Sequence, residues 1–132
     1  MASEDTQNSR LTVKSEDFAD CRVVSLTGSI DHTNSDDFVQ QLGGIAGGIA
    51  PGGGMVIDLG ALSFMSSAGL RALLLADAQV KEAGGRMIVC GLTGTVQEVF
   101  RISMFDSLLT VADGPSEAVA GISDAAAGAY KG

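Results

Sequence analysis

The stretch MVIDLGALSFMSSAGLRALLL, residues 55–75, decides the fold. Met55, Val56 and Ile57 form a short apolar run closing on Asp58, which predicts a buried strand. Leu70, Leu73, Leu74 and Ala78 recur at helical spacing and predict a helix with Ser66 or Ser67 as its N-cap. Strand, short turn and helix thus deliver two adjacent hydroxyls to a helix start. There the unpaired N–H groups and the positive end of the helix dipole favour an anion such as phosphate. Capping alone would also account for a serine at this position.

Working outward, the segments at residues 11–14 and 21–27 predict two strands of a hairpin turning at 16–20, and 31–35 opens a helix with Phe38, Val39, Leu42 and Ile45 on its apolar face. GGIAGGIAPGGG, residues 43–54, predicts the end of that helix in a flexible loop. No Gly-Lys-Ser/Thr follows these glycines, so they do not form a nucleotide phosphate cradle. After the central helix, Gly84 and Gly85 are placed to end it by a left-handed cap. A strand is expected at 87–90, and an amphipathic helix at 94–102 with Val96, Val99 and Phe100 inward. A last strand follows at 108–112 and a small Ala-rich helix at 115–127 with a frayed tail. This alternation predicts an α/β domain with a mainly parallel or mixed sheet.

Composition bounds the function. The chain has 132 residues, 45% of them apolar, which suits one domain with an aliphatic core, Trp being absent. A net charge of −8 argues against direct nucleic-acid binding, which needs clustered Lys and Arg, and suits a basic protein surface as partner. No apolar run approaches a membrane span, and the polar start MASEDTQNSR lacks the apolar core of a signal peptide, so a cytoplasmic location is expected. Cys21 and Cys90 lie far apart with no histidine near either, so buried reduced thiols are expected and no metal site. Ser66 and Ser67 lack a Gly-x-Ser-x-Gly setting, and His32 is the lone histidine, an exposed turn residue by expectation. Hydrolase chemistry is therefore not indicated.

Three segments taken together resemble a known family. GSIDHTNSDDFVQQL at 28–42, IDLGALSFMSSAGLRALLL at 57–75 and GGRMIVCGLTGTVQEVFRISMFDSLLTV at 84–111 look like the STAS domain of bacterial anti-sigma-factor antagonists, in that family's order and spacing. The resemblance covers residues 10–122 and implies a four- to five-stranded mixed sheet with about four helices packed mainly on one side. The corresponding division is a flexible N-terminus at 1–9, the STAS domain at 10–123 and a flexible tail at 124–132.

The resemblance also implies a function. In the family, the turn before the second helix reads Asp-Ser-Ser/Thr-Gly, and its first serine is phosphorylated by a partner serine kinase that is itself the anti-sigma factor. Here Phe64 and Met65 match the preceding apolar pair, Ser66 stands where the aspartate usually is, and Ser67 matches the acceptor. Ala68 replaces the second hydroxyl and Gly69 matches the glycine. The departure at Ser66 could weaken kinase recognition or move modification to Ser66. Asp31 matches an aspartate of the family that lies near the acceptor; a cap or turn role explains it equally well. Gly69 either admits a partner backbone or packs the helix on the strand end.

The implied protein is a non-enzymatic, cofactor-free switch, a monomer or weak dimer. Unphosphorylated, it binds and sequesters a kinase of the histidine-kinase-like ATPase superfamily through Asp31, Phe64, Met65, Ser66, Ser67, Ala68, Gly69 and Arg71. It releases that kinase when Ser67 is phosphorylated and is reset by a PP2C-type phosphatase. A STAS scaffold without the switch and the STAS subunit of a lipid-transport ABC complex are the alternatives.

Overall fold

The computed structural model of the protein describes residues 5–7 and 11–130. Its elements in chain order are β1 (Asp5–Gln7), β2 (Leu11–Phe18), β3 (Cys21–Ile30), α1 (Ser35–Gly47), β4 (Gly54–Met65), α2 (Ser67–Glu82), β5 (Arg86–Cys90), α3 (Gly94–Ile102), α4 (Phe105–Leu108), β6 (Thr110–Ala112), α5 (Pro115–Ile122) and α6 (Asp124–Ala129). The six strands lie side by side in sequence order. β1, β2 and β3 pair antiparallel, and β3 to β6 run parallel.

Sequential parallel strands dictate the layering. Each crossover from β3 to β6 advances in the same direction, and right-handed crossovers therefore place α1, α2 and α3 on one face. Side chains of β4 and β5 alternate between the two faces. Met55, Ile57, Met87 and Val89 join Phe38, Leu42, Leu73, Val80, Val96 and Phe100 in the larger core. Val56, Ile88 and Cys90 point the other way, to Cys21, Val23, Ala118, Val119 and Ala126 beneath α5 and α6. Burial on both faces explains the unbroken apolar runs at residues 55–57 of β4 and 87–90 of β5.

The expected fold class is borne out, with two short helices on the second face. Several boundaries differ. Gly43 and Gly44 lie inside α1, which continues to Gly47, so the loop is confined to residues 48–53. β4 runs on past Asp58 to Met65. On α2 the buried stripe is Leu70, Leu73, Ala76 and Val80, and Ala78 is exposed. The region expected as strand at 108–112 splits into the turn of α4 and the three residues of β6. The helix expected at 115–127 is broken at Ser123 into α5 and α6, and α6 reaches Ala129 in the expected tail, with Ala126 buried and the ring of Tyr130 edge-on to Phe18 at 5.0 Å; residues 131–132 lie outside the described residues. Of the expected flexible start, Asp5–Gln7 pairs with β2, and residues 1–4 and 8–9 lie outside the described residues. Both cysteines are buried, which pushes the thiols up to about 11 for Cys21 and about 12 for Cys90 and keeps them protonated.

Candidate functional site

β3 and β4 end together, and their register builds the site. Ile30 pairs with Met65, and the Ser66 N–H donates to the Ile30 carbonyl at 2.8 Å. The segments that follow both strands, starting at Asp31 and Ser66, are thereby brought together at the carboxyl edge of the sheet. Ligands and partners of open α/β sheets commonly meet this edge.

Ser66 is the N-cap of α2. Its backbone is extended (φ −76°, ψ 168°), and its hydroxyl oxygen accepts from the Gly69 N–H at 3.3 Å. Ser67 is the first residue within the helix and is exposed. The two serines thus divide the work: one hydroxyl is committed to the cap, and the other faces outward. Gly69 is buried. A Cβ there would sit 2.8 Å from Met65 Cγ and 3.1 Å from Ile30 Cγ2, so the glycine lets α2 close on the strand ends. Met65 is only 1% exposed. Met65 and Gly69 therefore hold the turn from beneath, and Phe64, Ser67 and Arg71 are the residues of the expected set that stand exposed.

Asp31 shapes the facing turn. Its carboxylate accepts from the Thr33 N–H at 2.8 Å and from the Thr33 hydroxyl, and its carbonyl accepts from Ser35 N–H at 3.0 Å. The turn-forming role is thus present, beside the serines. A residue the sequence reading missed completes it: Asn34, 1% exposed, donates to the Ser29 carbonyl at 3.0 Å and accepts from the Asp31 N–H at 2.9 Å. An Asn just before Asp36 and Asp37 reads as an ordinary helix cap, but its side chain makes no cap bond and clamps the preceding turn instead. His32 is exposed, as expected.

Beside Ser67 lies a groove of about 450 Å³ lined by Ser67, Ala68, Leu70, Arg71, Leu74, Ser103 and Phe105. Ser103 and Phe105 bring the α3–α4 junction to the groove, and Ile102, Met104 and Leu108 of the same segment are 72%, 63% and 55% exposed. Met104 adopts the left-handed conformation (φ 62°, ψ 23°) just after α3, a position that favours glycine. Holding a methionine there costs about 1 kcal/mol. Met104→Gly is expected to leave the melting temperature unchanged or raise it by a few degrees, at about 3–5 °C per kcal/mol for a domain of this size. A thermal melt checks this; a clear fall would mean that the methionine side chain supports the fold.

Among the described residues no helix is long and apolar enough to cross a membrane, and no three His, Cys, Asp or Glu side chains gather as metal ligands.

Comparison with known proteins agrees with this geometry. BtrV of Bordetella bronchiseptica, assigned by name to the anti-sigma factor antagonists, is 44% identical over 66 residues, 50% of this chain; the aligned part is 57% of BtrV, so the chain spans little more than half the length of this relative. The fold superposes on an anti-sigma factor antagonist from Mycobacterium paratuberculosis with a TM-score of 0.76 at 24% identity, covering 89% of this chain and 97% of that one. It also superposes on the Bacillus cell fate determinant SpoIIAA in its phosphorylated form, with a TM-score of 0.62 at 21% identity over 84% of this chain and 99% of that one. Residues 12–118 match the STAS domain, and the chain belongs to the STAS-domain family.

Proposed function

We propose that this STAS domain is an anti-sigma factor antagonist, a binding protein without catalytic activity of its own, whose grip on a partner serine kinase is set by phosphate on Ser67. The observation that carries the reading is the exposed Ser67 hydroxyl at the start of α2, on a groove whose lining includes the apolar Leu70, Leu74 and Phe105. Apolar surface in such a cluster is typical of a protein contact. Phosphate would add about −1.5 to −2 charges beside it, and an interface fitted to a neutral hydroxyl would lose affinity through desolvation and repulsion. The name of BtrV and the phosphorylated form in which SpoIIAA was solved support the same role.

In this reading the unphosphorylated protein presents Phe64, Ser67, Ala68 and Arg71 to the kinase, with Asp31 bordering the contact. Met65, Ser66 and Gly69 keep the turn in shape. The kinase belongs to the histidine-kinase-like ATPase superfamily, a PP2C-type phosphatase reverses the modification, and the exchange takes place in the cytoplasm. Ser66, in place of the usual aspartate, supplies the helix cap and leaves Ser67 as the acceptor.

The test uses a serine kinase of that superfamily from the same genome, with ATP, and intact mass as the readout. Wild type and Ser66→Ala are expected to gain one phosphate and Ser67→Ala none. Ser67→Asp is expected to weaken binding at least about tenfold, 1.4 kcal/mol. Stability should change by less than about 1 kcal/mol, because an anion suits a helix start. Full phosphorylation of Ser67→Ala would overturn the assignment.

A further inference from the structure

We propose that Arg71 is the intramolecular counter-ion of a phosphate on Ser67. The inference rests on the reading that Ser67 is the modified residue, and adds how the phosphate acts once it is there.

Ser67 and Arg71 are four residues apart on α2, both are exposed, and both line the same groove. Side chains at this spacing stack on one helix face. They also lean toward the N-terminus, so the arginine reaches back over the serine. An anion followed four residues later by a cation is the favourable order along a helix. Arg71 is available for such a contact: among the described residues it makes no hydrogen bond or ion pair. The other cations from α2 to α5 are engaged. Lys81 pairs with Asp77 at 3.0 Å, Arg86 donates to the Gly121 carbonyl at 2.8 Å, and Arg101 pairs with Glu98.

The guanidinium fork matches two phosphate oxygens at once, which an ammonium cannot do. Ser66 has no equivalent, because the residue four positions on is the buried Leu70. A cation there also offsets repulsion, since Asp31 follows Ile30, which pairs with Met65 at the same sheet edge, and the chain carries a net charge of −8. Phosphorylation then has two effects on the groove. It places an anion on the rim, and it draws Arg71 onto that anion and away from whatever the free guanidinium would have met. Both oppose binding of the partner that fits the unmodified face.

The test needs no kinase. Phosphoserine is installed at position 67 of the full chain during translation, and its second ionisation, ordinarily near pH 6, is followed by phosphorus NMR. With Arg71 present the ionisation is expected about half a pH unit lower than in Arg71→Gln, because the cation favours the dianion. Arg71→Lys should recover part of the difference, and Arg101→Gln, a change to a cation of α3 already paired with Glu98, should leave it intact. Melting curves of the unphosphorylated variants should coincide, since Arg71 is exposed. An ionisation unmoved by Arg71→Gln, or moved equally by Arg101→Gln, would overturn the pairing. Kinase-directed phosphate on some other residue would instead defeat the reading of Ser67 as acceptor and leave this pairing measurable.

Discussion

Gly69→Asp is expected to lower the melting temperature by about 10 °C or more, and to weaken partner binding only through the turn that it distorts. The first added carbon would stand 2.8 Å from Met65 Cγ and 3.1 Å from Ile30 Cγ2, inside van der Waals contact. Overpacking of this kind costs about 1–3 kcal/mol. The carboxylate adds a desolvation cost, because the position is buried and faces two apolar side chains. A negative charge in the first turn of a helix recovers only about 0.3–1 kcal/mol, so the destabilising terms prevail. At about 3–5 °C per kcal/mol, a net loss of about 3 kcal/mol gives the stated shift.

Gly69→Ala isolates the steric part and should cost about 1 kcal/mol. That cost should largely disappear in a Met65→Ala background, where the nearest clashing atom is gone, and the two substitutions should therefore be non-additive. Calorimetry of the four proteins checks it. If Gly69→Asp melted like wild type and failed only to bind, Gly69 would be a contact residue rather than the packing residue its surroundings make it.

The sequence carried the fold wherever a single physical signal dominated. α3 was legible to its end residues, because Val96, Val99 and Phe100 turn inward at helical spacing between residues that favour its ends. The second half of β4 was not. Its buried residues Leu59, Leu62 and Met65 fall three apart, where a regular strand would bury every second residue. The cause is irregular pairing with β3, whose register shifts between Ser25 and Thr27 and again between Gly28 and Ser29, with Gly28 at φ 108°. Each bulge inserts a residue and resets the alternation. This distorted segment carries Met65 to the site, so the site's own strand was the least visible.

Glycines misled in the other direction. Gly43 and Gly44 are poor helix formers, yet the turn that holds them is fixed by Leu42 and Ala46 in the core and by Gln79 Nε2, which donates to the Gly43 carbonyl at 3.2 Å. Tertiary contact with α2 overrode local propensity. α6 had a signal that went unused: Ser123 followed by Asp124 is a cap pattern, and the Ser123 hydroxyl does accept from the Ala126 N–H at 3.0 Å. In the site, Ser66 and Ser67 were legible as a pair. Which of them caps the helix was decided by the reach of one hydroxyl to Gly69. The exposure of Ile102, Met104 and Leu108 was not legible, because an apolar side chain carries no local sign that the fold will leave it in solvent.

Phe100→Ala is expected to cost about 3–5 kcal/mol, the range for removing a fully buried phenylalanine, and so a large part of the total stability of about 5–15 kcal/mol of an ordinary domain. Its ring also stands edge-on to Phe105 at 6.0 Å, and Phe105 forms a wall of the groove beside Ser67. The core and the groove therefore share one aromatic pair. Two neighbouring substitutions should separate the roles. Phe100→Leu keeps most of the apolar volume and should cost less stability than Phe100→Ala, with affinity falling only as far as the Phe105 ring loses its support. Phe105→Ala, at a half-buried position, should cost less stability than Phe100→Ala and more affinity than Phe100→Leu. Denaturant unfolding and calorimetric titration with the kinase, run on all three variants, give the two orders. If Phe105→Ala bound as tightly as wild type, the groove would be no part of the interface, and the stability lost at Phe100 would concern the core alone.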